Sequence, residues 1–184
     1  MAADQQAQAI GIRLDGVAQL FNTLDPFPFA ERDLDSDAEE YIVGWARELG
    51  HGGPITIIVH LPAREADSEA ARDLPHALSR YFTYRAEVVG RELNELFRIG
   101  RIALVVGLAV FGLCLAASQA IDAVAGHTYY GSFIAESLII AGWVANWRPL
   151  EIFLYDWWPI LRRRNLYRRL AAADVIIKPD ETKP

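Results

Sequence analysis

The chain has very little cysteine and lacks the common catalytic motifs. Cys114 is its one cysteine, so a disulfide framework and a thiolate metal cluster are both excluded. The nucleotide-binding patterns GxGxxG and GxxxxGK[ST] are absent, as are HExxH, GxSxG and CxxC. The four histidines, at positions 51, 60, 76 and 127, are scattered. We therefore expect no catalytic residues, no metal and no cofactor, and we predict that the protein is not an enzyme.

Positive charge is also scarce in the first part of the chain. Residues 1–73 hold fourteen acidic side chains against five arginines, within a net charge of −6 for the whole chain. Nucleic acids bind to clustered positive charge, so we expect no nucleic-acid partner. Residues 148–169 show the opposite balance, with six arginines and two acids. We expect this basic segment to contact anionic lipid headgroups.

The acidic segment 31–40 lacks the ligand pattern of a calcium-binding loop. Ala38 occupies the position of the turn glycine in an EF-hand, and Gly44 occupies that of the bidentate glutamate. Ser36 and Glu39 instead have the spacing of a capping box, with acids at the positive end of the helix dipole. We therefore predict a helix that opens at this capping box, and no metal site.

What the chain does contain is a long apolar run between Arg101 and Asp122. Twenty uncharged residues lie there, about the number that a helix needs to cross the ~30 Å hydrocarbon core of a bilayer. A second apolar segment, SFIAESLIIAGWVANW, begins at Ser132. Together they predict a two-helix transmembrane hairpin over residues 98–160. Its expected parts are a first span at about 102–121, an outer loop at 122–132 and a second span at about 133–155.

Lysine and arginine are missing from the predicted outer loop. Arginines instead lie at 91, 98 and 101 before the first span, and from 162 onward after the second. By the positive-inside rule, both termini are then cytoplasmic. The first ten residues, MAADQQAQAI, lack the layout of a signal peptide, so we expect the first span to be both insertion signal and permanent anchor. These features predict a protein of the bacterial inner (cell) membrane.

Small residues recur at intervals of four in the first span. They are Ala103 and Gly107, followed by Gly112, Ala116 and Ala120. Small side chains at this spacing let helix backbones approach closely, which favours association because lipid offers no hydrophobic drive between helices. The pattern predicts helix packing, and it leaves open whether the partner is the second span or another protomer.

Charged residues interrupt the second span. The intramembrane polar candidates are Glu136, Arg148, Glu151 and Asp156. In one interpretation the span ends near Trp147, and the following residues lie in the membrane interface. In the other, which we favour, a long tilted helix continues to Ile160 and pairs Arg148 with Glu151 near the cytoplasmic interface. The expected interface anchors are Trp143, Trp147, Trp157, Trp158, Arg162, Arg163 and Arg164.

The remaining residues, 1–97 plus 161–184, predict one small cytoplasmic α/β domain with a short sheet covered by helices. The best strand is 55–61, which is apolar at nearly every position and is therefore expected to be covered on both faces. We expect it to pair with a last strand at 174–178. A helical pattern that begins near Pro75 predicts a long stem helix, continuous with the first span.

The predicted features favour a function in assembly. They are a rigid stem helix, small residues at helix-packing intervals and exposed aromatic side chains, without a cluster of reactive residues. We predict a non-enzymatic integral membrane protein, either a homo-oligomeric scaffold or an accessory subunit of a larger membrane complex. Its expected partners are the lipid bilayer, copies of itself or other membrane subunits. Two alternatives stay open: a transport or channel component that uses the polar residues of the second span, and a membrane-anchored ligand sensor.

Overall fold

The computed structural model describes residues 9–22, 32–50, 53–125 and 128–180. The chain divides into two compact units. The α/β unit comprises residues 1–89 and 162–184, and the helical unit comprises residues 90–161. The sequence-based division, at residues 97 and 161, stays a prediction about independent domains.

Three parallel strands form the sheet of the α/β unit. They are β1 (Ala9–Arg13), β2 (Thr56–Pro62) and β3 (Asp174–Asp180), with β2 in the middle. Ile57 lies opposite Ile10 on one side and Val175 on the other, so the predicted pairing of 55–61 with 174–178 is confirmed. Parallel neighbours need long crossovers, and the one from β2 to β3 contains the entire helical unit.

Only one face of β2 is fully buried among the described residues. Ile57, Val59 and Leu61 are completely buried, whereas the alternating Ile58 and His60 are half-buried. The expected cover on both faces is therefore complete on one face and partial on the other in this part of the chain. Successive side chains of a strand point to opposite faces. Because this strand is apolar on both faces, its sequence did not show which face is the more buried.

The first crossover contains α1 (Ser36–Glu48), and its cap differs from the predicted capping box. Asp35 is the N-cap residue, because its carboxylate accepts a hydrogen bond from the backbone N–H of Asp37. Ser36 is already helical, and the Glu39 carboxylate bonds elsewhere. Asp and Ser are equally good cap residues, so neighbouring candidates cannot be ranked by type. A short α2 (Ala63–Ala66) follows β2.

The long helix α3 runs from Glu69 to Ala125 and confirms the predicted continuous stem. It begins before Pro75 because the Ser68 hydroxyl accepts a hydrogen bond from the N–H of Ala71 and so caps an earlier turn. Its 57 residues extend about 85 Å at 1.5 Å per residue. Among the described residues, it is the one helix long and apolar enough to cross a membrane by length and composition.

The predicted second span, 133–155, is wrong as a single helix. The structure has α4 (Tyr129–Ala145), α5 (Trp147–Glu151), a π-helical turn (Ile152–Asp156) and α6 (Trp157–Ala171). Pro149 has no N–H to donate to the carbonyl of Ala145, so the hydrogen-bond ladder is interrupted where α4 ends. With 17 residues, α4 extends about 26 Å, less than the ~30 Å hydrocarbon core, so the described residues support one candidate span and not the predicted two-helix transmembrane hairpin.

The outer loop is also shorter than the predicted 122–132. Helical residues continue to Ala125 and resume at Tyr129, so most of the expected loop is helix. Residues 126–127 lie outside the described part of the chain. Three positions separate Ala125 from Tyr129 in the chain, a spacing that suits antiparallel neighbours.

Candidate functional site

Within the helical unit, α3 and α4 are close enough that glycine is required at their contacts. A Cβ atom added at Gly107 would lie 2.8 Å from Asn146 Oδ1 and 3.0 Å from the Ala145 carbonyl oxygen. A Cβ atom at Gly142 would lie 2.8 Å from Cδ2 of Phe111 and 3.2 Å from its Cα. These separations are shorter than ordinary van der Waals contacts, so the glycines set the interhelical distance.

The facing pairs also define the register of the two segments. Gly107 faces Asn146 and Phe111 faces Gly142, while Gly100 faces Ile152 further along. In each facing pair, the two residue numbers add up to about 253. The number of any α3 residue, subtracted from 253, therefore gives the residue at the same level on the other segment. This relation gives the height of every polar candidate relative to the apolar run of α3.

Asn146 is the polar residue at the centre of this contact. Its Nδ2 donates to the carbonyl oxygens of Gly107 at 3.1 Å and Gly142 at 3.0 Å, and so links the two helices. Its Oδ1 is buried and has no conventional hydrogen-bond partner in the described structure. That oxygen lies against the backbone of Gly107, where a glycine Cα–H can serve as a weak donor.

Three of the four polar candidates form one ion cluster. Arg148 Nη1 lies 3.2 Å from Glu151 Oε2 and 3.1 Å from Asp156 Oδ2, and the indole N–H of Trp147 donates to Glu151 Oε1 at 3.0 Å. The π-helical turn underwinds the chain and brings Asp156 back to the side of Arg148. By the register, this cluster lies level with residues 97–105, at one end of the apolar run.

The fourth polar candidate, Glu136, is separate from this cluster. It is exposed on α4, twelve residues before Arg148, which corresponds to about 18 Å along a helix. The register places it level with residue 117, about five residues inside Asp122. The polar candidates therefore do not converge on a single site.

The five predicted packing residues divide between two surfaces of α3. Gly107 is buried against α4 and Ala103 is half-buried, whereas Gly112, Ala116 and Ala120 are exposed. A Cβ atom at Gly112 would meet no atom within 4 Å. Because each helical residue turns the chain by about 100°, Gly112 lies roughly 140° around the helix from Gly107. We call Gly112, Ala116 and Ala120 the small face.

The predicted interface anchors are mostly exposed. Trp143, Trp147 and Trp158 are more than half exposed, and the indole N–H of Trp157 donates to the Phe153 carbonyl oxygen at 2.9 Å. Arg162 and Arg163 are exposed on α6, while Arg164 is half-buried. Their residue types and exposure fit a membrane interface, and their role stays a prediction.

Sequence reasoning missed a second polar cluster, in the α/β unit. Glu39 accepts hydrogen bonds from Tyr81 Oη at 2.7 Å and Tyr167 Oη at 2.9 Å, and from Arg85 Nε at 2.9 Å. The cluster therefore joins α1, α3 and α6. The spacing of Glu39 could have indicated this cluster. Glu39 lies three residues before the buried Ile42 and therefore shares its helix face. We call these four polar residues the Glu39 cluster.

The Glu39 cluster shifts the acid–base behaviour of its members. Burial alone would raise the pKa of Glu39, but the two tyrosine hydroxyls and Arg85 outweigh it and hold that pKa below its ordinary value. Burial and the Glu39 carboxylate raise the pKa of both Tyr81 and Tyr167. All four groups therefore keep their ordinary charges at neutral pH. Their arrangement is that of a structural clamp between three helices.

The described residues contain no group of three or more His, Cys, Asp or Glu side chains that could hold a metal ion. The structure thus presents a glycine-lined helix contact, an ion cluster at one end of it and a polar clamp in the α/β unit. No protein-family model, curated protein or solved structure matches this chain.

Proposed function

We propose that this protein is a non-enzymatic membrane protein that acts by assembly, with the small face of α3 packing against a second copy. In this proposal α3 crosses the bilayer, and α4, α5 and the π-helical turn together return beside it. The single observation that carries the proposal is the separation of two small-residue surfaces on one helix. Gly107 is occupied by α4, whereas Gly112, Ala116 and Ala120 remain exposed on the opposite side.

The exposed surface of the helical unit supports a place in the bilayer. Large apolar side chains point outward from both helices, and Val105, Leu113 and Val144 are each about two-thirds or more exposed. Soluble monomers rarely expose apolar patches of more than a few hundred Å². Lipid would cover this surface without any further protein.

The polar groups at one end of the unit support the position of the membrane boundary. Arg98 and Arg101 are exposed one turn before the exposed Ile102 and Val105, and the register brings the Arg148 cluster to the same level. Arginine can extend from such a position to anionic headgroups while its stem stays on apolar surface. We propose that this end faces the cytoplasm of a bacterial cell and that both termini lie there.

This topology predicts the outcome of a reporter-fusion experiment. A phosphatase that is active only outside the cytoplasm should be inactive when it is fused after Pro184, and active when it is inserted at Thr128 in the short connection. The arginines would hold the chain ends inside. Activity after Pro184, or a purified chain that stays monodisperse in buffer without detergent, would contradict the proposed topology.

Self-association through the small face predicts a selective effect of bulky residues. Ala116→Leu should convert the oligomer to monomers, because the added side chain separates backbones that pack at short distance. Ala117→Leu is the matched control: Ala117 is also exposed, but it lies about 100° around the helix from Ala116. The mass of the detergent-solubilised protein, measured by light scattering, tests both variants.

Two results would decide against self-association. A monomeric wild-type chain would exclude the homo-oligomer and leave the accessory-subunit version, in which another membrane protein covers the small face. Equal masses for Ala116→Leu and an oligomeric wild type would show that another surface makes the contact.

A transport function is less well supported. The Arg148 cluster lies at one end of the apolar run, whereas Glu136 lies about 18 Å away along the helix.

A further inference from the structure

A cavity of about 340 Å³ lies in the α/β unit beside the Glu39 cluster. Helix α3 provides one wall with Ala77, Arg80, Tyr81 and Tyr84, and the segment before α1 provides Arg32 and Asp33. The volume falls within the range of small-molecule sites, about 300–1,000 Å³. We call it the Arg80 cavity.

The Arg80 cavity has a fixed inner wall. The hydroxyl of Tyr81 donates to Glu39 at 2.7 Å, and Glu39 is itself held by Tyr167 and Arg85. Tyr81 is 9% exposed, so its ring cannot turn away without breaking this cluster. A binding surface that is ordered before the ligand arrives loses less entropy on binding.

The outer part of the cavity offers hydrogen-bond donors that the fold does not use. Within the described residues, Arg80 makes no hydrogen bond or ion pair, and the hydroxyl of Tyr84 makes none either. Tyr84 is 52% exposed and lies one helical turn after Arg80, so both side chains can reach one ligand.

The lining favours a negative ligand with a flat apolar part. The described lining residues include two arginines and one aspartate, so their formal charge is positive within a region that is otherwise acidic. A guanidinium group can make two parallel hydrogen bonds to a phosphate or carboxylate. The rings of Tyr81 and Tyr84 and the side chain of Ala77 provide the apolar surface.

We propose that the Arg80 cavity binds a small organic anion in which a phosphate or carboxylate group is attached to a flat ring. Arg80 and Tyr84 bind the anionic group, and the tyrosine rings contact the flat part. This site is independent of the proposed assembly in the membrane, because all its residues belong to the α/β unit.

Calorimetric titration of the full chain in a neutral detergent tests this site, with phenyl phosphate as the probe. Inorganic phosphate supplies the anion alone, and benzyl alcohol supplies the ring alone. We expect phenyl phosphate to bind more tightly than either. Arg80→Gln should weaken its binding about tenfold or more, the usual effect of losing a charged hydrogen bond. Tyr84→Ala should weaken it further by removing one ring.

Arg72→Gln is the matched control, because Arg72 is an exposed arginine of the same helix that does not line the cavity. Its affinity for phenyl phosphate should equal that of the unchanged protein. Absence of binding at millimolar phenyl phosphate would overturn the proposal. Equal weakening by Arg80→Gln and Arg72→Gln, or equal affinity for phenyl phosphate and inorganic phosphate, would overturn it as well.

Discussion

Gly107→Ala is expected to open the contact between α3 and α4. The new methyl group would stand 2.8 Å from Asn146 Oδ1 and 3.0 Å from a backbone oxygen, so Asn146 must move and lose its interhelical hydrogen bond to Gly107, together with its bond to Gly142 one turn earlier. Overpacking typically costs about 1–3 kcal/mol, and the lost interhelical hydrogen bond adds about 0.6 kcal/mol, the average measured between membrane helices. We therefore expect the contact to weaken by about 2–4 kcal/mol.

The chain contains its own reporter for this opening. Cys114 is its one cysteine and is half-buried at the contact, where a Cβ atom at Gly142 would come within 3.3 Å of its Cβ. Alkylation of Cys114 by N-ethylmaleimide in detergent should be at least tenfold faster in Gly107→Ala, since 1.4 kcal/mol corresponds to about a factor of ten in the open population.

Gly112→Ala is the matched control for Gly107→Ala. Both replace a glycine of α3 by alanine, but the space around a Cβ atom at Gly112 is empty to 4 Å. Alanine also favours a helix by about 1 kcal/mol over glycine, so this variant should leave Cys114 as protected as before. Equal alkylation rates in the two variants would show that Gly107 does not set the spacing of the helices.

Glu39→Ala is expected to destabilise the α/β unit substantially. It leaves two tyrosine hydroxyls and Arg85 without their shared acceptor, and it removes this polar link of α1 to α3 and α6. The cost should be about 2–3 kcal/mol, since the Arg85 side chain is 37% exposed and remains partly solvated. For a chain of this size, the melting temperature should fall by about 5–10 °C.

Glu40→Ala provides the control for that loss. Glu40 is exposed on the same helix, so removing its carboxylate should change the melting temperature by no more than about 2 °C. Circular dichroism of the full chain in detergent measures both variants. Similar shifts for Glu39→Ala and Glu40→Ala would mean that the Glu39 cluster does not stabilise the fold.

The same cluster has a defined pH dependence. The pKa of folded Glu39 lies below its ordinary value of 4.5, so its stabilisation is complete above about pH 4.5. It is lost as the pH falls further, through the lower pKa of the folded state. The difference in melting temperature between the unchanged protein and Glu39→Gln should therefore be constant near neutrality and shrink in acid.

Periodicity in the sequence was sufficient for the elements that depend on local pattern. The apolar run after Arg101, the strands near 55–61 and 174–178 and the continuity of the stem helix follow from side-chain type and spacing. The end of α4 did not follow, since residues 133–155 are largely apolar and Pro149 permits either a kink or a stop. The structure shows that α4 ends at Ala145, directly before the close contact between Asn146 and Gly107.

The sequence by itself determined that a long helix carries an apolar run, because hydropathy and helical spacing are local properties of consecutive residues. The sequence also identified the small residues of that helix, but it did not show which surface each of them faces. Only the tertiary structure decided which of them face α4 and which stay exposed, and only it gathered Glu39, Tyr81, Arg85 and Tyr167 into one cluster. The physical reason is that such contacts join residues far apart in the chain, where the spacing of side chains along one helix carries no information about the partner.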